Sequence, residues 1–339
     1  MRFRDSAPLC FVNWINTTKQ NNFDSFVERY TGNNGILEEL SNIESLAKCL
    51  EPDKLKRDEP LSFHTSVGIG GPADLFYTTD TSGDLVKAVR LCKSFEVPMT
   101  VLGERTGALV SDLGIRGLVI MNKSDRVQVK PLKRGLSNFF RRIDPKIVEV
   151  TIDSGMSVEE AVERLGAGGI EGLGKHADYK GSIGGLVIEK KEAGVSKKIS
   201  IIDAHGAIKS IEPKKYVQGE IVIDATFLLR LGEKTVIIKQ KQRETKRTAG
   251  KIFRDINEEE RQILGYPTND PAYIVGEILN MKEFGVGGAR VGKTDQNTIE
   301  NIGGATYGDC VAVIEEIKRR ARETLGIELL ERVVRLGVV

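Results

Sequence analysis

Residues 287–294, Gly-Gly-Ala-Arg-Val-Gly-Lys-Thr, have the spacing G-x-x-x-x-G-K-T of a phosphate-binding loop. In such a loop successive backbone N–H groups wrap a phosphate, the lysine reaches the terminal phosphates and the threonine hydroxyl holds Mg²⁺. That geometry requires a buried strand before the loop and a helix after it. The preceding Asn280-Met-Lys-Glu-Phe-Gly-Val is a poor strand, and the segment from Asp295 meets Gly303-Gly304 after two turns at most. The apolar runs that end in Asp203 and Asp224, and so could carry a metal-binding carboxylate, both lie upstream of the loop. A fortuitous match is therefore expected, with nucleotide hydrolysis as the minor alternative.

The other reactive residue types form no constellation. Cys10, Cys49, Cys92 and Cys310 make no CxxC pair, and His64, His176 and His205 are far apart in sequence, so no metal site is expected. Buried, reduced thiols in a cytoplasmic protein are the expectation. Two stretches are basic: 123–146 holds eight Lys/Arg against two Asp, with Phe139 and Phe140 inside, and 239–254 holds seven Lys/Arg against one Glu. Solvated faces are expected there, and binding of a phosphate-bearing partner, RNA included, is the alternative.

The elements that must position any site read as those of an α/β protein. The 339 residues are enough for two or three packed domains, and 50 basic against 48 acidic residues give +2, no global field toward nucleic acid or membrane. No apolar run is long enough to span a bilayer, and the N-terminus shows no apolar signal segment. From Pro60 onward short apolar runs alternate with amphipathic helices. Leu85, Ala88, Val89, Cys92 and Phe95 mark a helix that Pro98 ends, with strands at Met99–Leu102 and Leu118–Met121. Ser157-x-x-Glu160 is a capping box that opens a second helix, and strands follow at Ile199–Asp203 and Ile221–Leu229. A last helix starts near Thr306 and stops at Gly326. Residues 1–58 read as a helical, charged extension.

Several stretches together resemble the UDP-N-acetylenolpyruvoylglucosamine reductase (MurB) family. Residues 59–74 (Glu-Pro-Leu-Ser-Phe-His-Thr-Ser-Val-Gly-Ile-Gly-Gly-Pro-Ala-Asp) are similar to its opening segment. Residues 101–120 are similar to its flavin-phosphate loop and the strand behind it. Gly181-Ser-Ile-Gly-Gly185 resembles the second flavin loop, and Ala225-Thr-Phe227, Ala249–Phe253, Val286–Ala289 and Asn297–Gly304 continue in order. The resemblance covers 59–337 and leaves 1–58 outside. It implies an α+β fold of α/β subdomains, the two-part FAD-binding PCMH-type, MurB-like arrangement with a C-terminal MurB-like substrate domain. The implied boundaries are 59–125 and 147–232 for the flavin subdomains, 126–146 for a basic insertion or linker, and 235–339 for the C-terminal domain. The implied reaction passes hydride from NADPH through FAD to an enolpyruvyl double bond, with a serine as proton donor and arginine and glutamate stabilising the enolate.

Carried over residue by residue, that chemistry is missing. The serine of Gly-Ser-x-Phe falls on Lys251 in Gly250-Lys-Ile-Phe253, and a lysine with an ordinary pKa near 10.4 is a poor donor at neutral pH. The arginine that follows tyrosine falls on Val217, in a shortened loop before Glu220. The glutamate falls, counting from Gly326 to Gly337, on Arg332, with Glu331 one residue away. No catalytic residue is therefore assigned. The implied cofactor contacts are Gly70, Gly71, Gly103, Arg105, Thr106, Gly181, Ser182 and Gly184. The first loop carries Glu104, a negative charge beside an expected diphosphate, and the second is altered at Asp178-Tyr-Lys-Gly181. An Asn-Ala-Gly segment near the flavin ring becomes Lys190-Lys191-Glu192, and a Lys-His pair becomes Thr294-Asp295. The expectation is a cytoplasmic, catalytically inactive homologue without cofactor, binding a nucleotide sugar or an unknown protein partner, with 1–58 as a docking element. The alternative is a divergent FAD- and NADPH-dependent reductase in peptidoglycan precursor synthesis.

Overall fold

The computed structural model describes residues 33–103, 107–131, 144, 146–177, 179–234 and 247–337, with side chains from residue 41 onward. Its elements are mixed helix and sheet, the α+β class expected. They run α1 (Asn33–Cys49), β1 (Leu55–Pro60), β2 (Pro72–Thr79), α2 (Ser82–Ser94), β3 (Met99–Gly103), β4 (Leu109–Val110), β5 (Ile115–Asn122) and β6 (Val127–Pro131). Next come β7 (Ile147–Asp153), α3 (Val158–Ala167), β8 (Ile170–Glu171), α4 (Ile183–Glu189), β9 (Lys198–Ile202), β10 (Ile208–Ile211) and β11 (Ile221–Leu231). The C-terminal part holds β12 (Thr248–Lys251), α5 (Glu258–Leu264), α6 (Pro271–Tyr273), β13 (Gly285–Val286), β14 (Ala289–Val291), β15 (Thr298–Asn301), α7 (Tyr307–Leu325) and β16 (Arg335–Leu336).

Three sheets carry the fold. The first has the order β1-β2-β5-β3, with β5 parallel to both β2 and β3. Parallel strands need a crossover, and α2 carries the chain from β2 to β3, on the far side of β5. Thr81 caps α2 by accepting from the Asp84 N–H, and Leu85, Ala88, Val89 and Cys92 are all buried on one face. The second sheet has the order β10-β9-β11-β7-β6, with β8 pairing beside β11. Its long central strand β11 runs antiparallel to both β7 and β9 and buries Val222, Ala225, Phe227 and Leu229 against α3 and α4. The third, β12-β15-β14-β13, is covered by α7, whose Cys310, Val313, Ile314, Ile317 and Ala321 enter its core. Thr306 and Asp309 form a capping box at the start of α7, and Gly326 at φ 68° ends it in the left-handed conformation that favours glycine.

The described part of the expected helical extension 1–58 is helical over α1 and also carries the start of a strand. Ile43, Leu46, Ala47 and Leu50 pack in one core with Leu75, Tyr77, Leu85 and Val89, and β1 pairs antiparallel with β2 from Leu55↔Tyr77 to Pro60↔Pro72. The end of α1 and the following strand are thus part of the first sheet unit. Residues 127–131 likewise form an edge strand on β7 instead of a linker. Most of the two basic stretches, Phe139 and Phe140 included, lies outside the described residues. No described helix is long and apolar enough to cross a membrane.

Candidate functional site

The two glycine-bearing loops meet. A methyl group built at Gly103, where β3 ends, would lie 2.9 Å from Ser182 Oγ, so the end of β3 and the start of α4 touch. Ser182 caps α4 by accepting from the Gly185 N–H, and its strand neighbour is Ser157. Gly184 donates to Ser154 O at 2.9 Å, and Ser154 Oγ donates to Val222 O and accepts from Asn122 Nδ2. A buried polar network therefore holds β5, β7, β11 and α4 at the meeting point. Gly70 and Gly71 serve packing: a Cβ at Gly70 would lie 2.8 Å from Val110 Cβ, and one at Gly71 would strike the Asp112 backbone oxygen. Arg105, Thr106, Glu104 and Asp178 lie outside the described residues.

Around Lys251 the structure builds an ionic cluster. Its Nζ donates to Asp270 Oδ2 at 2.7 Å and lies 3.1 Å from Asp295 Oδ2. Burial works against the ammonium, but the bonds to Asp270 and Asp295 outweigh it and the lysine pKa is raised. Burial likewise opposes the Asp270 carboxylate, and the bond from Lys251 still holds its pKa below the ordinary value. Next to this cluster the buried Asn297 clamps Phe253, accepting from its N–H at 2.8 Å and donating to its carbonyl at 3.0 Å.

Arg332 and Glu331 occupy opposite sides of the C-terminal segment. The backbone N–H groups of Arg332 and Val333 both donate to Ile252 O, and Phe253 bridges to Glu331, so the segment lies beside Lys251. Glu331 is engaged by Lys318 at 3.0 Å and Arg335 at 2.8 Å. Arg332 instead reaches Glu189, the last residue of α4, at 2.8 Å. Glu331, the carboxylate one residue from Arg332, is thus held by two cations of the C-terminal unit. Val217 is 62% exposed, on a short turn closed by its own N–H donating to Glu220 Oε2.

Glu189 and Asp270, the partners of Arg332 and Lys251, were not singled out in the sequence. They lie 143 and 19 residues from those partners, and only the folded chain brings them together. The phosphate-loop spacing has no structural counterpart. Residues 285–291 form a β13–β14 hairpin turning at Gly287-Gly288, and no helix follows Gly292-Lys293. Lys293 points to Glu283 at 4.0 Å. Among the described residues no group of His, Cys, Asp and Glu could hold a metal ion. A cavity of about 330 Å³ opens on the third sheet, lined by Arg247, Arg290, Glu300, Asn301 and Ile302. Its Arg290 is already paired with the buried Glu300 at 2.9 Å.

Residues 241–336 match the C-terminal domain of UDP-N-acetylenolpyruvoylglucosamine reductase. The reductase of Lachnoclostridium phytofermentans is 27% identical over 332 residues, 90% of this chain and 98% of its own length. That of Heliobacterium modesticaldum is 28% identical over 307 residues, 83% of this chain and 90% of its own length. A share of 90% is more than residues 59–337 can supply, so the likeness extends upstream of residue 59, consistent with β1 and α1 being built into the first sheet unit. The crystal structure of the Thermus caldophilus reductase covers 83% of this chain and 98% of its own at 23% identity, with a TM-score of 0.58. In fold, and in sequence along most of its length, this chain is similar to the UDP-N-acetylenolpyruvoylglucosamine reductases.

Proposed function

We propose that this chain uses the reductase fold to bind a nucleotide-bearing ligand and does not reduce an enolpyruvyl group. One observation carries the reading: at the position where the resemblance puts the proton-donating serine, Lys251 is held by Asp270 and Asp295 with its pKa raised. A donor to carbon must surrender its proton near neutral pH, and an ammonium bound by two carboxylates retains it. The two enolate-stabilising positions support the same reading. Val217 brings no charge, and Arg332 is a cation engaged by Glu189.

A second reading, a divergent FAD-dependent reductase, is favoured by the span of similarity to the curated reductases and by the contact of Gly103 with Ser182. Gly103, Gly181, Ser182 and Gly184 would hold the diphosphate end of FAD, whose bound ring would supply hydride transfer. The segment that the resemblance puts beside the ring fits it poorly. Lys191 there donates to Tyr216 O at 3.4 Å, and Glu189 is tied to Arg332. Titrating the purified protein with FAD, followed by visible absorbance and fluorescence, separates the readings. Spectral shifts with quenching, then bleaching by NADPH, would establish the second. Binding of a UDP-sugar without any flavin response would support the first.

A further inference from the structure

The carboxylate of Glu189 sits among cations from two parts of the fold. Arg332 Nη2 donates to Glu189 Oε2 at 3.0 Å and lies 2.8 Å from Oε1, and Lys190 Nζ lies 3.9 Å from Oε1. Lys191, the next residue, lies over the Tyr216 ring at 5.7 Å. His176 Nε2 is buried without a hydrogen-bond partner among the described residues. Burial, then the nearby charges of Lys175 and Lys190, lower the pKa of that imidazole. Two cations, Arg332 and Lys190, thus lie within 4 Å of the Glu189 carboxylate, and the other carboxylate of the turn, Glu192, is exposed. Arg332 and Glu189 are themselves accessible, at 35% and 21% side-chain exposure.

We propose that Glu189 is an internal stand-in for the anionic group of a ligand. On binding, a phosphate-bearing ligand displaces Glu189 from Arg332 and takes its place between Arg332 and Lys190. A guanidinium forks onto a carboxylate or a phosphate with the same two parallel N–H donors, so the exchange keeps Arg332 satisfied. Both partners are partly solvated, so the pair is weak enough to open. The released Glu189 sits at the C-terminal end of α4 and can turn to solvent. The proposal rests on the ligand-binding reading and adds to it the charge class and the residues that recognise it.

Inorganic pyrophosphate is the probe, measured by isothermal titration against the full-length chain and its E189Q, R332Q and K190M variants. The melting temperature of each variant is recorded to confirm folding. Removing the internal competitor should tighten pyrophosphate binding about three- to tenfold in E189Q, while R332Q should weaken it about tenfold or more. K190M should weaken it less, and R332K should fall between wild type and R332Q because the charge stays and the fork is lost. Equal affinity in wild type, E189Q and R332Q would overturn the proposal, as would pyrophosphate binding to none of them. If R332Q does not fold, E189Q and R332K still decide the matter. Pyrophosphate carries neither flavin nor sugar, so failure here leaves the nucleotide-ligand reading standing, and success here does not establish it.

Discussion

At Lys251, where the resemblance puts a serine, the partners of the side chain set what it can do. The raised lysine pKa contributes stability that is complete below the unfolded value near 10.4 and is lost as pH rises through the folded one. The lowered Asp270 pKa contributes stability that is present above the unfolded value near 3.9 and is lost as pH falls through the folded one. The melting temperature of K251M should therefore fall below that of wild type between these limits and converge with it at both extremes, as a calorimetric pH series would show. Thiol chemistry gives a second check. Burial pushes Cys92 and Cys310 up to about 12, whereas Cys49 is exposed. With Cys10 replaced by serine, Ellman's reagent should find one fast thiol in the native protein and two more after unfolding. The departure of Lys251 from the pattern of the resemblance was legible because Gly250 and Phe253 bracket it in sequence. Its consequence was not, because Asp270 is delivered by the turn that opens α6, after a stretch with no local link to Lys251.

Among the elements, helices with a cap and an apolar stripe were legible: Ser157 and Thr306 cap where expected. Strand β1 was not, because Leu55-Lys-Arg-Asp-Glu-Pro60 has a charged, mostly exposed pattern with no alternation to read. Only its pairing with β2 reveals it, and α1 reads as part of the core only once Leu75 and Tyr77 are seen against it. If residues 43–50 are core, L46A should cost about 2–5 kcal/mol in urea unfolding, since Leu46 is fully buried; a detached docking helix would show no loss. The link between β12 and β15 makes a parallel case. N297A leaves the Phe253 N–H and carbonyl buried without this partner and should cost about 1–3 kcal/mol in urea unfolding.

At the scale of the whole molecule, the C-terminal unit is tied to the first sheet unit through several contacts. The β16–β4 pairing, the Asp112 carboxylate on the α7 N-terminus and the Asn301 bond to Val67 O all contribute. The Arg332–Glu189 pair joins it to the second unit at the candidate site. The order of segments that the resemblance follows is the order in which these units are built, so the fold was readable from turn and core residues. The charges that now fill the site were readable only as departures, because their pairing is a property of the closed molecule. The most direct test of a reductase fold without reductase chemistry is NADPH oxidation, measured with saturating FAD and UDP-N-acetylenolpyruvoylglucosamine. No substrate-dependent oxidation should be seen, in wild type or in K251S, since Val217 and Arg332 remain. Turnover by the wild-type protein that is lost in K251M would show Lys251 acting as the proton donor and would contradict the proposal.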